Sequence, residues 1–410
     1  MIAKPVSPNP VVAKPANVKP LSPLRPLTVA GIMSGTSGDG IDIALVRIAP
    51  RRGSDAPSLE LLIHKAFPFP RALRTPILAA QDAQRISTAE LAQLNWRMGL
   101  AYADAFTAIR ATFAGPIDLV GCHGQTIYHQ SATLPFAGKR FACTWQIGEM
   151  APLAEAAGVP VYSNFRPADI IAGGQGAPLV PLLDQALYRD GRRTRILQNI
   201  GGTGNLTIVP PTGSSAPTIA FDTGPGNMVI DTLTQQLFSR HFDCNGRIAA
   251  RGQILQPVID AILREPFFAQ SPPRSAGREQ FGLRFTAALL RACRKRSRNP
   301  EDAIATATAL TTQSIALAVG RFVPPDTRID LILSGGGALN RTLVAQLHSI
   351  PNARVLASSD PSLPTPLPVE AKEAAAFALL AWMSHHRRPA NVPSATGASR
   401  PVILGQVTCA

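Results

Sequence analysis

Apolar and polar positions follow one grammar at two places in the chain. From Leu27 the sequence runs LTVAGIM, enters a Gly/Ser/Thr-rich stretch, and resumes with Ile41, Ile43, Leu45 and Ile48. This predicts a strand, a tight polar turn and a second strand. Near residue 195 the theme recurs as RILQNI, GGTG and NLTIVPP. LELLIHKAFPF reads as a further strand, and IDLVGCHGQT as a short strand ending in a polar turn. Residues 88–113 carry apolar side chains at helical spacing, with Thr88 expected as N-cap and Glu90 in the first turn. Residues 150–158 and 178–189 also read as helices. TIAFDTGPGNMVIDTLTQQLF reads as strand, Gly-rich turn and helix. A long helical region covers 284–320 with a break at Asn299-Pro300, and IDLILSGGGALNRTLVAQL delivers a strand to a triple glycine and a helix. After about residue 387 the chain is loop-like, with PVILG offering a short strand. The repeated opening predicts two similar α/β halves, 28–190 and 191–410, flanking a cleft.

Composition changes the picture mainly at the N-terminus. Prolines 5, 8, 10, 15, 20, 23 and 26 exclude helix and central strand from residues 1–27. Lys4, Lys14, Lys19 and Arg25 make this tail basic. It reads as a disordered, polyproline-like extension rather than a dedicated binding arm. It has no continuous apolar core of a leader, so no signal peptide is expected. Lys and Arg total 40 against 26 Asp and Glu, a net charge of +14. Part of the excess, Arg291, Arg294, Lys295, Arg296 and Arg298, closes a helical stretch, where cations are favoured. A nucleic-acid partner is therefore not needed to explain the charge, which also attracts anionic ligands. A 45% apolar content excludes a chain disordered throughout. No run of 18 apolar residues predicts a membrane span. The five cysteines form no CxxC and the seven histidines no HExxH, so neither a zinc site nor a disulfide framework is expected, and a cytoplasmic location is.

Three glycine-rich turns carry the candidate chemistry. Glycine lets backbone N–H groups approach a ligand closely, and successive N–H groups form anion-binding nests. In MSGTSGDG, Ser34, Thr36 and Ser37 add hydroxyl donors, while Asp39 and Asp42 can hold a hydrated Mg²⁺. Gly201 and Gly202 repeat the arrangement in the second half. Gly335, Gly336 and Gly337 lead into a helix N-terminus, which suits a phosphate or the approach of a flat base. One such turn alone reads as a tight hairpin or a close packing contact; three in one chain favour a polyphosphate ligand. No GxxxxGK[ST] is present, and no GxGxxG follows a strand with an acid about 20 residues on, so neither a P-loop nor a Rossmann site is indicated.

Two phosphate-holding hairpins and a later glycine-rich turn resemble the layout of the sugar kinase, actin and heat-shock ATPase superfamily. More narrowly, GIMSGTSGDGIDIALV, HGQT, QIGE, GGQGAPLVPLLDQALY, NIGGTGNLT, FDTGPGNMVIDTL, GREQF, SGGGALN, the helix of Glu373–Trp382 and the terminal TGA…ILG resemble the anhydro-N-acetylmuramic acid kinase family, in order, over residues 28–410. The resemblance implies two ribonuclease-H-like (actin-like ATPase) domains around a nucleotide and sugar cleft. It implies an enzyme using ATP, Mg²⁺ and water to open the 1,6-anhydro ring of 1,6-anhydro-N-acetylmuramic acid and phosphorylate O6, giving N-acetylmuramic acid 6-phosphate and ADP in cell-wall recycling. Gly35, Thr36, Ser37, Gly38, Asp39, Gly40, Ile41 and Asp42 would form the ATP phosphate loop, with Asp39 and Asp42 near the metal through water. Gly201 and Gly202 would form the second loop, and Gly335, Gly336, Gly337 and Glu373 would lie along the nucleotide. His123, Gly124, Gln125, Thr126 and Arg166 would contact the sugar. Asp222 would be the catalytic base, because a water attacking the anomeric carbon must lose its proton. The family is often dimeric. No nucleic-acid or membrane partner is implied.

The chain also departs from the family. Gly38 stands where Leu is usual, which is expected to loosen the first hairpin. The family's DFRRRD is here Asn164-Phe165-Arg166-Pro167-Ala168-Asp169. Ala168 replaces an Arg that contacts the muramic sugar, so Arg166 or another basic residue would have to compensate. These changes leave open a kinase of the same fold for another amino- or anhydro-sugar, and, from the charge, a non-catalytic nucleotide-binding protein.

Overall fold

The computed structural model describes residues 25–51, 56–81, 83, 85–364 and 367–410. The proline-rich tail expected over 1–27 thus lies outside the described residues up to position 24.

The chain opens with strands β1 (Leu27–Ser34), β2 (Gly40–Ala49) and β3 (Ser58–Pro68), and helices α1 (Arg71–Gln81) and α2 (Thr88–Arg110). It continues with β4 (Leu119–Phe136), β5 (Lys139–Ile147), α3 (Ala151–Ala157), β6 (Val161–Ser163), α4 (Pro167–Ile171) and α5 (Pro181–Tyr188). The second half holds β7 (Thr194–Ile200), β8 (Thr203–Val209), β9 (Ile219–Pro225), α6 (Asn227–Phe238), α7 (Gln256–Leu263), α8 (Pro266–Ala269) and α9 (Arg278–Phe281). It ends with α10 (Leu283–Arg294), α11 (Pro300–Phe322), β10 (Ile329–Ser334), α12 (Arg341–Leu347), β11 (Ala353–Ala357), α13 (Lys372–His385), α14 (Pro393–Thr396) and β12 (Gln406–Thr408).

The strands form two sheets of one design. The first has the order β12-β6-β4-β1-β2-β3, and the second β11-β10-β7-β8-β9. In the first, β2 and β3 run antiparallel to their neighbours while β4 and β6 extend it in parallel from β1. In the second, β8 and β9 are antiparallel, and β10 and β11 extend it in parallel from β7. The strand–turn–strand openings read from sequence are therefore the same corner of two ribonuclease-H-like sheets.

The last part of the chain returns to the first sheet. β12 pairs with β6, and α13 packs on β1, β2 and β4. α13 and β12 thus sit with the first sheet, whereas the expected division at 190/191 placed them with the second half; α14 between them packs on β9 of the second sheet. Two glycines make the docking of α13 possible. A Cβ on Gly31 would lie 1.8 Å from the Ala374 carbonyl oxygen, and one on Gly121 would lie 2.2 Å from that of Phe377. The helix backbone therefore rests directly on β1 and β4. Its side chains from Ala374 to Ser384 are buried all round, and an apolar circumference of this kind belongs to a central helix. One core joins α13 and α5 to inner-face residues of both sheets, including Ala44, Val46, Leu197 and Ile332. Separate cores pack α1–α3 on the first sheet and α6, α7, α10, α11 and α12 on the second. The apolar length of α11 is enough to cross a membrane, but 78% of its most apolar window is buried inside the protein.

Three local expectations shift. The cap of α2 is Ser87, not Thr88: its hydroxyl accepts from the Glu90 N–H and Glu90 reaches back to the Ser87 N–H, a capping box. β4 does not stop at the HGQT turn. It runs on as a ribbon with β5, because Gly124 takes a φ of 79° and lets the strand bend and continue. The terminal strand is Gln406–Thr408, just beyond PVILG.

Candidate active site

A cavity of about 630 Å³ lies between the two sheets. Asp42 of β2 and the 175–184 segment form one side, with the start of α13. Asn199, Asn205 and Asp222 of the second sheet, with Arg274 and Ser275, form the other. The cavity is of ordinary size for a small-molecule site.

Asp222 stands in β9. Its Oδ2 accepts a hydrogen bond from the Ala276 N–H at 2.7 Å, and its backbone N–H and carbonyl are paired with Arg274. Arg274 is itself locked. Its guanidinium lies over Phe221 and Phe267 and donates to the carbonyls of Phe268 and Gln270. Burial raises the Asp222 carboxyl to about 6, against the opposing pull of the Ala276 N–H and the Arg274 charge. A carboxylate poised near neutrality in a cleft is suited to general base work.

Glu373, in the first turn of α13, lines the same cavity. Burial raises its pKa; Arg166 opposes this, Asp42 adds to it, and Lys372 opposes it. Lys372 Nζ lies 2.7 Å from Asp184 Oδ1, which joins α13 to α5 across the cavity wall. Asp42 also meets His64 Nε2 at 3.0 Å.

The residues of the three glycine turns do not line the cavity themselves; they adjoin the lining residues Asp42, Asn199 and Ser334 along the chain. In the first hairpin, Gly38 donates to the Gly35 carbonyl at 3.1 Å and takes φ 63°, a left-handed conformation that suits glycine. Arg74 of α1 donates to the Gly38 carbonyl and pairs with Asp39, which ties the hairpin to α1. Thr36 and Ser37 are exposed at the tip. In the second hairpin, the Gly201 and Gly202 carbonyls accept from the N–H groups of Gly226, Asn227 and Met228 at the start of α6. A Cβ on Gly337 would lie 2.3 Å from Ile200 Cγ2, so the triple-glycine turn is wedged against β7. Asn199 and Ser334, which line the cavity, bring these two turns to its rim.

Of the residues singled out from sequence, Asp42, Asp222 and Glu373 line the cavity together. Asp39 does not join them; it is 70% exposed and paired with Arg74. Ile41 packs in the core, and a Cβ on Gly40 would strike the Phe67 carbonyl, so both serve the hairpin's shape. The HGQT residues are not cavity-lining either. Gln125 is buried and donates to the Gly35 carbonyl at 3.0 Å, which makes it a positioning residue for the first hairpin. Thr126 accepts from Gln146, and Gly124 provides the bend. His123 is buried against Phe377 and accepts from Arg166 at Nε2, at 3.1 and 2.8 Å from Nε and Nη2. Burial and the Arg166 charge hold this imidazole well below its ordinary pKa, so it is neutral with its proton on Nδ1. Arg166 also donates to the Gly176 carbonyl at 2.7 Å. Asp169 holds the same loop: its carboxylate accepts from Gly176 N–H, Asn391 and Thr396. Arg166 and Asp169 thus shape the loop that presents Gln175 to the cavity.

Sequence reading missed Asp184, Lys372, Asn199, Asn205, Gln175 and Arg274. Asp184 had a signal, as the single acid in the apolar run APLVPLLDQALY; Arg274 had none in its surroundings. Among the described residues, no group of three or more His, Cys, Asp or Glu forms a metal cluster. The carboxylates of Asp42 and Glu373 face a shared space, and one or two carboxylates completed by water and phosphate are what Mg²⁺ requires.

Residues 27–410 match the family model described as anhydro-N-acetylmuramic acid kinase. An anhydro-N-acetylmuramic acid kinase of Bacillus cereus is 44% identical over 388 residues, covering 93% of this chain and 98% of that protein. The protein of the same description from Bacillus anthracis is 43% identical over the same share of each. Among solved structures, the activator of 2-hydroxyisocaproyl-CoA dehydratase from Clostridium difficile overlays with a TM-score of 0.39 at 11% identity, over 87% of this chain and 94% of that one.

Proposed function

The chain belongs to the anhydro-N-acetylmuramic acid kinase family, and on that premise we propose how its cleft performs the reaction. The substrates are ATP and 1,6-anhydro-N-acetylmuramic acid, and the products are ADP and N-acetylmuramic acid 6-phosphate, formed in peptidoglycan recycling. The observation that carries the assignment of roles is Asp222: a cleft carboxylate fixed through one oxygen by Ala276 and raised to about 6.

Asp222 accepts a proton from the water that attacks the anomeric carbon. The bond from that carbon to the bridging O6 breaks, and its electron pair passes to O6. O6 then attacks the γ-phosphorus, and the bond to the ADP oxygen breaks. No separate acid is needed for the leaving oxygen, because phosphorus captures it. The N–H groups at the hairpin tips, of Thr36 and Ser37 in the first and Gly202 in the second, hold the phosphates between them, while those of Gly38 and Gly201 close the hairpins themselves. Gln125 keeps the first hairpin in place through the Gly35 carbonyl. Gln175, Asn205 and Ser275 line the same cavity as Asp222 and offer neutral donors for the sugar's hydroxyl and amide groups. Arg166 acts on the sugar site through the 173–178 loop it anchors. Asp42 and Glu373 would hold a hydrated Mg²⁺, which when bound neutralises charge on the phosphates.

Incubation with Mg·ATP and 1,6-anhydro-N-acetylmuramic acid is expected to yield ADP and the 6-phosphate in equal amounts by ³¹P NMR. ADP with inorganic phosphate and no sugar phosphate would overturn the reading.

A further inference from the structure

A buried pair of hydroxyl groups stands at the foot of the first glycine turn. Ser34 ends β1, immediately before Gly35, and is 1% exposed. Its Oγ donates to the Gly124 carbonyl at 3.1 Å and lies 2.7 Å from the Tyr102 hydroxyl. A serine has one proton to give. It goes to Gly124, so Tyr102 is the donor in the second bond. The Ser34 hydroxyl is therefore committed inside the protein and is not among the donors open to a phosphate.

This relay sits where the sheet is irregular. β1 and β4 pair in step from Val29 with Leu119 to Ile32 with Cys122; Ser34 then pairs with Gln125, one residue out of register. β4 carries one residue more than β1 there, and Gly124 bends at φ 79°. Two side-chain bonds cross the irregularity. One runs from Ser34 to the Gly124 carbonyl, the other from Gln125 Nε2 to the Gly35 carbonyl at 3.0 Å. Tyr102 adds a third link, from α2.

Tyr102 is fully buried in the apolar core between α2 and the first sheet. Its ring is closely set: a Cβ on Gly148 would lie 2.7 Å from Tyr102 Cε2, and Asn95 of the same helix accepts from the Gly148 N–H at 2.7 Å. Phenylalanine would fill this space with no polar group to satisfy. The polar atom that tyrosine brings instead meets the residue entering the turn. Burial raises the phenol well above its ordinary pKa, which keeps it protonated and a donor.

We propose that Tyr102 is a positioning residue for ATP: through Ser34 it fixes the Gly35–Gly38 turn and so aims the N–H groups of Thr36 and Ser37. The inference deepens the phosphate-holding role proposed above and rests on it. Thr36 and Ser37 are exposed, so their direction is set from the ends of the turn rather than by packing at its tip. Arg74 holds the exit side at Gly38 and Asp39, and Ser34 and Gln125 hold the entry side.

Tyr102→Phe removes the hydroxyl oxygen and keeps the ring. With ATP and sugar varied in turn on the full chain, its KM for ATP is expected to rise about three- to tenfold, the range spanned by one lost hydrogen bond. Its KM for the sugar is expected to stay within about twofold of wild type. Ser34→Ala is expected to raise KM for ATP at least as much, and the double variant no further, because both changes cut one relay. Hydrogen exchange of residues 35–38 in the ATP-free protein is expected to quicken in Tyr102→Phe while the unfolding temperature stays close to wild type. Equal rises in both KM values, or single effects that add in the double variant, would overturn the relay. A non-hydrolysable ATP analogue separates the two readings. If it leaves exchange at 35–38 unchanged in the wild type, the phosphate-holding role fails and this inference with it. If it slows exchange there and Tyr102→Phe keeps the wild-type KM for ATP, the positioning role alone fails.

Discussion

Lys372 Nζ lies 2.7 Å from Asp184 Oδ1, and the Asp184 side chain is only 1% exposed. This pair fixes the angle between two helices that present side chains to the catalytic cleft. Removing one partner of a buried pair strands the other charge, at a cost of roughly 3–5 kcal/mol. Lys372→Met is therefore expected to lower the unfolding free energy by about that amount in denaturant titration. Joint replacement as Asp184→Leu/Lys372→Met is expected to recover much of it, because no charge is then left unpaired. A single variant as stable as wild type would show that the pair is solvated in solution.

The docking of α13 depends on Gly31 and Gly121. Either change to Ala places a methyl group inside the helix backbone, 1.8 Å from the Ala374 oxygen or 2.2 Å from the Phe377 oxygen. Overpacking of this kind costs about 1–3 kcal/mol, and more where backbone must move. Both variants are expected to unfold at lower temperature and to lose activity, since α13 carries Glu373. Wild-type melting temperatures in both would contradict the close helix–strand contact.

These two relationships mark where sequence legibility ends. The hairpins were legible because strand alternation, a Gly/Thr turn and renewed alternation form a local signal. The two-sheet design followed from its recurrence. The place of α13 was not legible. Its helix is apolar on every side and names no partner, and Gly31 and Gly121 look like ordinary strand glycines until the helix is set against them. Asp222, Asp42 and Glu373 were found by motif and do meet in the cleft. Asp39 enters the reading as a carboxylate of the first polar turn, and His123 through the family resemblance. In space Asp39 turns to Arg74, 35 positions away, and His123 faces Phe377 and Arg166. Strand register and long-range charge decide those directions, and neither is written locally.

The raised pKa of Asp222 gives two pH dependences of opposite sense. As a base it must be ionised, so kcat/KM is expected to rise with pH and level off above about 6. For stability, a carboxyl whose pKa rises from 3.8 to about 6 on folding binds more protons in the native state. Its stabilising contribution is complete below 3.8 and is lost as pH climbs through 6. Asp222→Asn is therefore expected to be more stable than wild type at pH 7, by at most about 3 kcal/mol, and equal to it near pH 3.5. Denaturant titration at the two pH values checks this. An Asn variant less stable than wild type at pH 7 would contradict the buried, raised carboxyl.

Arg166 bridges the His123 imidazole and the Gly176 carbonyl with one planar fork. Lysine cannot make both contacts. Arg166→Lys is expected to raise KM for the sugar about tenfold, with KM for ATP little changed, if Gln175, presented by the loop it holds, contacts the sugar as proposed. Steady-state kinetics with each substrate varied in turn separates the two. An equal rise in both constants would place Arg166 in the general architecture instead.

The central claim is that Asp222 activates the water that opens the anhydro ring. Its most direct test is ADP release from Mg·ATP, with and without 1,6-anhydro-N-acetylmuramic acid, in wild type and in Asp222→Asn. The expected result is sugar-dependent turnover in the wild type, reduced by roughly 10²–10⁴ in the variant while ATP affinity is kept. A variant that retains turnover within about tenfold of wild type would contradict the claim, since loss of a general base costs more than that.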